Sequence, residues 1–273
     1  MKCLLVCLLA AGSACGQVVV AITARGDDYL VYAGGTLAGM TAQGATLHVI
    51  CATGEVSGQA REAAVLLGAK GIVSLGYREG ELAGVSPTEL RDRLIYYIRH
   101  YRPRIVFLPN PHAEYDESLD RYHAGLAAEQ GVWASSRGNF QPAHALAGLE
   151  PHLTAEVYYY APPVDPRRRE LESTATFVPQ PKVVDIAPHV ERKLRAVQAL
   201  ASYNRRLAED IRARLAITGR KLPLLESEDG LSRLVETRLR SLGHLAAEGT
   251  GYSLAEEFLH AGVGFQVPSA YLR

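Results

Sequence analysis

Four apolar, β-branched runs alternate with helical patterns through the first half of the chain. The runs are Val18–Thr23, Thr46–Thr53, Gly71–Tyr77 and Arg104–Pro109. The intervening patterns cover Gly34–Gln43, Ala60–Leu67, Pro87–Tyr101 and Leu119–Ser135. Short apolar runs of this kind suit strands buried on both faces. Strands separated by single helices form right-handed crossovers, which make a parallel sheet. The expected fold is therefore α/β: a three-layer, Rossmann-like, mostly parallel sheet with helices on both faces. In such sheets ligands bind just beyond the carboxyl ends of the strands.

The rhythm changes after Glu150. Thr154–Ala161 reads as a strand, and Thr174–Val178 and Lys182–Ile186 as extended. His189–Arg214 reads as one long arginine-rich helix, Ser232–Ala247 as another, and Leu254–His260 as a short third. No repeat or Pro/Gly-rich linker divides the chain. One domain is expected over 17–273, with a helical extension from about residue 189. The arginines of the long helix and the triplet Arg167-Arg168-Arg169 read first as a solvated face.

Residues 1–16 hold one lysine, a short apolar run and a small-residue end. That is the pattern of a secretory signal peptide, cleaved after Ala14 or Gly16. The run is too short to span a bilayer, and export is expected. Cys15 also allows lipid attachment. Three of the four cysteines fall in this leader, so the mature chain has neither a disulfide nor a thiolate cluster. Cys51, inside an apolar run, reads as a small buried hydrophobe. Basic and acidic residues number 29 each, which gives no case for nucleic acid or an anionic membrane as partner.

The chemistry concentrates in two stretches. The first strand leads into Ala24-Arg25-Gly26-Asp27-Asp28-Tyr29 and then Gly34-Gly35-Thr36-Leu37-Ala38. Two adjacent carboxylates at a strand end can divide the labour of a hydrolytic site, one holding a cation and one taking a proton from water. The spacing lacks the three-glycine dinucleotide fingerprint, and the carboxylates would repel phosphate. The fourth strand leads into Asn110-Pro111-His112 and then Asp120-Arg121-Tyr122-His123. Asp120 and His123, three apart, can share one face of a first helical turn. Asp120 can equally be a helix cap.

These stretches resemble the PIG-L/LmbE family of N-acetylglucosamine deacetylases. That family carries Ala-His-Pro-Asp-Asp-Glu before Gly-Gly-Thr-Leu-Ala, and His-x-Asp-His at the head of a later helix. Val184-Asp185-Ile186 and Gly251-Tyr252-Ser253-Leu254-Ala255-Glu256-Glu257-Phe258 resemble further family elements, so the likeness spans nearly the whole mature chain.

The resemblance implies an LmbE-like fold and a zinc ion held by His, Asp and His, with the neighbouring aspartate as general base. Carried over, Asp27 is the base and Asp28 and His123 are ligands. Arg25 stands at the third ligand position, and a guanidinium has no lone pair for zinc. Asp120 is a candidate to complete the set, and His112 a candidate from the loop. Gly34, Gly35, Glu55 and Asn110 are candidate substrate contacts.

Two main readings follow. One is a metal-dependent N-deacetylase of an N-acetylated amino sugar or related small molecule, with an impaired zinc site. The other is a metal-free, non-catalytic member whose Arg25 offsets the carboxylate charge that a metal would offset. A third is a different small-molecule enzyme working in the same crevice without metal.

Overall fold

The computed structural model describes residues 16–113, 118–163, 180–227 and 229–262. The leader, Cys15, the triplet Arg167-Arg168-Arg169 and the extended stretch Thr174–Val178 lie outside the described residues.

Strands β1 (Val18–Thr23), β2 (Thr46–Thr53), β3 (Ala69–Tyr77), β4 (Ile105–Pro109) and β5 (Glu156–Tyr160) are parallel neighbours in one sheet. β6 (Gln180–Asp185) and β7 (Ala255–Ala261) extend the sheet beyond β5, in the order β3-β2-β1-β4-β5-β7-β6. β7 runs antiparallel to both its neighbours. The order reverses between β1 and β4, which opens a crevice at their carboxyl ends.

Helices α1 (Asp28–Ala42), α2 (Gly58–Leu66), α3 (Pro87–Tyr101) and α4 (Leu119–Ser135) make the early crossovers. The short α5 (Ala143–Leu146) precedes β5. Then come α6 (Val190–Gln198), α7 (Ala201–Ile217) and α8 (Gly230–Ala247). Side chains alternate along each strand, so the sheet feeds two cores. Val19, Ala21 and Phe107 pack with α1, α2, α6 and α8. Val20, Ile22, Val106 and Leu108 pack with α3 and α4.

Three expectations are corrected. The first helix starts at Asp28, not Gly34. The long helix is two: its ladder breaks around Leu200, which is buried against the core. Asn204 caps the break, its amide donating to the Val197 carbonyl at 2.8 Å. The stretch expected as a short helix, Leu254–His260, is strand β7. Ala-Glu-Glu favours helix locally, but pairing with β5 and β6 satisfies its backbone on both sides.

β7 also ties the layers together. The Glu256 carboxylate accepts from the Gly35 and Thr36 amides at 2.8 Å each and from Lys193 Nζ at 2.8 Å. Both side chains are buried. The pair fastens β7 and α6 to the helix that carries Asp28.

Candidate functional site

The turn after β1 is built by its own polar groups. The Thr23 hydroxyl donates to the Arg25 carbonyl at 2.5 Å, and the Arg25 amide donates to Asp28 Oδ2 at 3.1 Å. Asp27 occupies the N-cap of α1 without using its side chain as a cap. Its carboxylate is therefore left for the crevice. Asp28 opens the helix, where the dipole favours a negative charge.

Guanidinium groups surround these carboxylates. Arg25 Nη2 lies 3.3 Å from Asp27 Oδ2 and 3.8 Å from Asp28 Oδ1. Its Nη1 lies 3.1 Å from Glu79 Oε1. Arg121 Nη1 donates to Asp28 Oδ1 at 2.9 Å, with side-chain exposures of 12% and 1%. The two guanidiniums also stack over tyrosines, Arg25 5.5 Å from the Tyr203 ring centre and Arg121 5.6 Å from that of Tyr32.

Burial and the Asp28 charge push the Asp27 carboxyl up to about 6, against the opposing pull of Arg25 and Tyr203. Burial disfavours the Arg25 charge, but Asp27 and Asp28 outweigh it and hold the guanidinium more firmly protonated than usual. Burial pushes the Cys51 thiol up to about 12. It is inert as a nucleophile, in keeping with a small buried hydrophobe.

Two neighbouring chambers share Arg25 in their walls. The larger, of 560 Å³, is walled by Asp27, Glu55, Ser57, Gln59, Leu200 and Tyr203, among others. The smaller, of 250 Å³, contains Asp28, Tyr32, Arg121, Tyr203, Asp210 and Arg238. Arg25, Asp27, Glu79, Tyr203 and Arg206 line both. The break at Leu200 re-aims α7 so that Tyr203 and Arg206 reach the crevice. Part of the arginine-rich helix thus faces the site rather than forming only a solvated surface.

Several candidate residues stand elsewhere. The Asp120 carboxylate accepts from the amides of Gly80 at 2.6 Å and Leu82 at 3.2 Å. It holds the loop after β3, whereas Ser118 caps α4 by accepting from the Arg121 amide. Both Asp120 oxygens thus accept from loop amides, and Ser118, not Asp120, is the cap of α4. Gly34 and Gly35 lie inside α1 and serve packing: a Cβ on Gly35 would sit 2.6 Å from Ile186 Cβ, and one on Gly34 3.1 Å from Lys193 Cγ. Neither is among the described residues lining the two chambers. The Asn110 side chain accepts from the His112 amide at 2.9 Å and is not among the described residues lining either chamber. His112 is exposed, 3.7 Å from Glu129. Glu55 does line the larger chamber.

His123 is half-buried, its ring centre 5.0 Å from that of Tyr122. It is not among the described residues lining either chamber. Arg121 and His123, two apart on a helix, project roughly 200° apart. It is Arg121 that reaches Asp28.

The donor set does not fit zinc. Catalytic zinc takes three protein ligands plus a water. Here Asp28 is engaged by two guanidiniums, Arg25 offers no lone pair, and Asp120 is spent on backbone amides. The described residues bring no three His, Cys, Asp or Glu side chains together for a metal.

Reading residues singly missed Arg121, Tyr203, Arg206 and Arg238. Arg121 lies inside the second motif, at a position where the family pattern allows any residue. The others come from helices whose rotation and break are tertiary facts.

The paired carboxylates sit at the switch point of a mostly parallel, Rossmann-like sheet. Residues 20–127 match the PIG-L family, described as GlcNAc-PI de-N-acetylase. That match bears out the resemblance to the PIG-L/LmbE family over this stretch. A diacetylchitobiose deacetylase of Thermococcus kodakarensis is 28% identical over 211 residues, 71% of each chain. The fold is shared with the N,N'-diacetylchitobiose deacetylase of Pyrococcus horikoshii in complex with an inhibitor. That match has a TM-score of 0.67 and 22% identity, covering 90% of this chain and 84% of that one. It is also shared with GalB, a 4-carboxy-2-hydroxymuconate hydratase of Pseudomonas putida KT2440, with a TM-score of 0.61, 18% identity, and coverage of 90% and 96%. These relatives act on different chemistry, so the fold alone does not name this chain's reaction.

Proposed function

We propose that this chain is a metal-free PIG-L-family protein that binds an N-acetylated amino sugar, or a closely related small molecule, in the crevice around Arg25. One observation carries the reading: the carboxylate at the metal-ligand position, Asp28, is engaged by Arg121 and Arg25. Two fixed cations stand where the resemblance implies a zinc ion. The kinship to diacetylchitobiose deacetylase supports the ligand class. The larger chamber, 560 Å³, is in the range of small-molecule sites. The signal-like pattern of residues 1–16 is in keeping with export.

The test pairs metal analysis with binding. Full-length protein purified without chelator is expected to hold far less than one zinc per chain and to bind N-acetylglucosamine by calorimetry. One tightly held zinc per chain, or zinc-dependent release of free amine from an N-acetylated sugar, would favour the metal-dependent deacetylase instead.

A further inference from the structure

The chain's charges balance overall, 29 against 29, but one segment carries a single sign. From Ile211 to Leu225 the sequence holds Arg212, Arg214, Arg220 and Lys221 and no carboxylate. This segment forms the apex where α7 ends and the chain returns toward α8. All four cations are exposed there, together with Ala213, Ala216 and Ile217, the last at 86%. The apex is built rather than frayed. The amides of Gly219 and Arg220 donate to the carbonyls of Ala216 and Leu215 at 3.0 Å each, and Gly219 takes the left-handed conformation that turns the chain, with φ 66°. Arg212 Nη2 donates to the Leu225 carbonyl at 2.7 Å across the turn. Ile211, Leu222 and Leu224 pack on Ala208, Leu225 and Leu234. The hairpin thus has an apolar core of its own, and Ile217 stands outside it.

A single exposed isoleucine needs no explanation. An exposed isoleucine between cations, in a segment without a carboxylate, has a specific complement. Basic side chains meet lipid phosphates while an apolar side chain and the arginine stems enter the acyl boundary. Other partners fit less well. A second copy meeting this apex across a two-fold axis would set cations against cations. The segment offers no aromatic side chain on which nucleic-acid bases could stack. No helix of the described residues is long and apolar enough to cross a membrane, and the contact is one with the surface.

We propose that the α7 apex docks on an anionic phospholipid surface, with Ile217 inserted and Arg220 and Lys221 against the headgroup phosphates. Docking also places the crevice. Tyr203, Arg206, Leu207 and Asp210, earlier on the same helix, line the smaller chamber. Arg206 lies roughly 16 Å along the helix axis from Ile217. A docked apex therefore holds the crevice close to the lipid surface. The proposal stands whatever the crevice binds.

The test is co-sedimentation of the full-length protein with two kinds of vesicle, phosphatidylglycerol mixed equally with phosphatidylcholine, and phosphatidylcholine alone. The native chain is expected to prefer the anionic vesicles by at least about 25-fold at low salt, at roughly 5-fold for each of two cations at the surface. High salt should release it. The double variant Arg220→Gln, Lys221→Gln should lose most of that preference. Ile217→Ser should weaken binding several-fold and leave its salt dependence unchanged, because only apolar contact is removed. All three positions are exposed, and thermal melts confirm that the variants fold. Equal binding to both kinds of vesicle, or anionic binding that survives the double variant, puts the contact elsewhere on the chain and overturns the proposal. An Ile217→Ser variant that binds as the native chain does overturns the insertion. Binding of soluble heparin without binding of either vesicle assigns the cations to a polyanion and overturns the lipid surface.

Discussion

Arg121 Nη1 lies 2.9 Å from Asp28 Oδ1, a buried ion pair joining the first turn of α4 to the first turn of α1. It closes the end of the crevice where the family resemblance implies a metal ion. It also shows how the site keeps two adjacent carboxylates buried. Each has a guanidinium within ion-pair reach, and Arg25 touches both.

Arg121→Ala should destabilise the chain by about 3 kcal/mol, the lower end for breaking a buried pair, because Arg25 remains beside Asp28. Urea unfolding measures it. A loss under about 0.5 kcal/mol would mean that Arg25 alone balances Asp28.

Asp120→Ala should cost about 2 kcal/mol, because two loop amides lose their acceptor. The same loop carries Glu79, which holds Arg25, so sugar binding should weaken as well. Zinc affinity should not change between the variant and the native chain. A clear fall in zinc binding on equilibrium dialysis would return Asp120 to the ligand set.

Stability should carry a pH signature from Asp27. Its carboxyl titrates near 3.8 when unconstrained and is pushed up to about 6 in the fold. Between those values the folded chain retains a proton that the unfolded chain has released. This contribution is thus fully present below about pH 4 and is lost as pH rises through about 6. Urea midpoints of native protein and Asp27→Asn, taken from pH 4 to 7, should diverge over that window. Parallel curves would mean that Asp27 titrates as an ordinary aspartate.

Gly35→Ala should destabilise the fold by about 1–3 kcal/mol through overpacking against Ile186. Ligand affinity of the folded fraction should be unchanged, because the glycine packs against Ile186, just past β6, rather than in the crevice. Reduced affinity at native stability would restore it as a substrate contact.

Much of the architecture is written locally. Val18–Thr23 and Thr46–Thr53 are strands because β-branched apolar residues have few other satisfactory conformations. Pro87 starts α3 because its ring suits a first turn. Asp27 and Asp28 at the end of β1 mark the crevice for the same kind of reason, since strand ends and helix starts are read from neighbouring residues. The motif order likewise pointed to the PIG-L family.

Tertiary structure decided the rest. Ala255–Ala261 is a strand because β5 and β6 offer it hydrogen bonds on both edges, which no local propensity encodes. Asp120 serves Gly80 and Leu82, some 40 residues away along the chain. Arg121, rather than His123, meets Asp28 because helix rotation, set by packing, selects which side chain turns inward. Tyr203 and Arg206 enter the crevice only because a buried Leu200 ends one helix and redirects the next, and Arg238 reaches it from α8. A sequence lists which charges a chain owns. The distances that decide which of them neutralise one another exist only after folding.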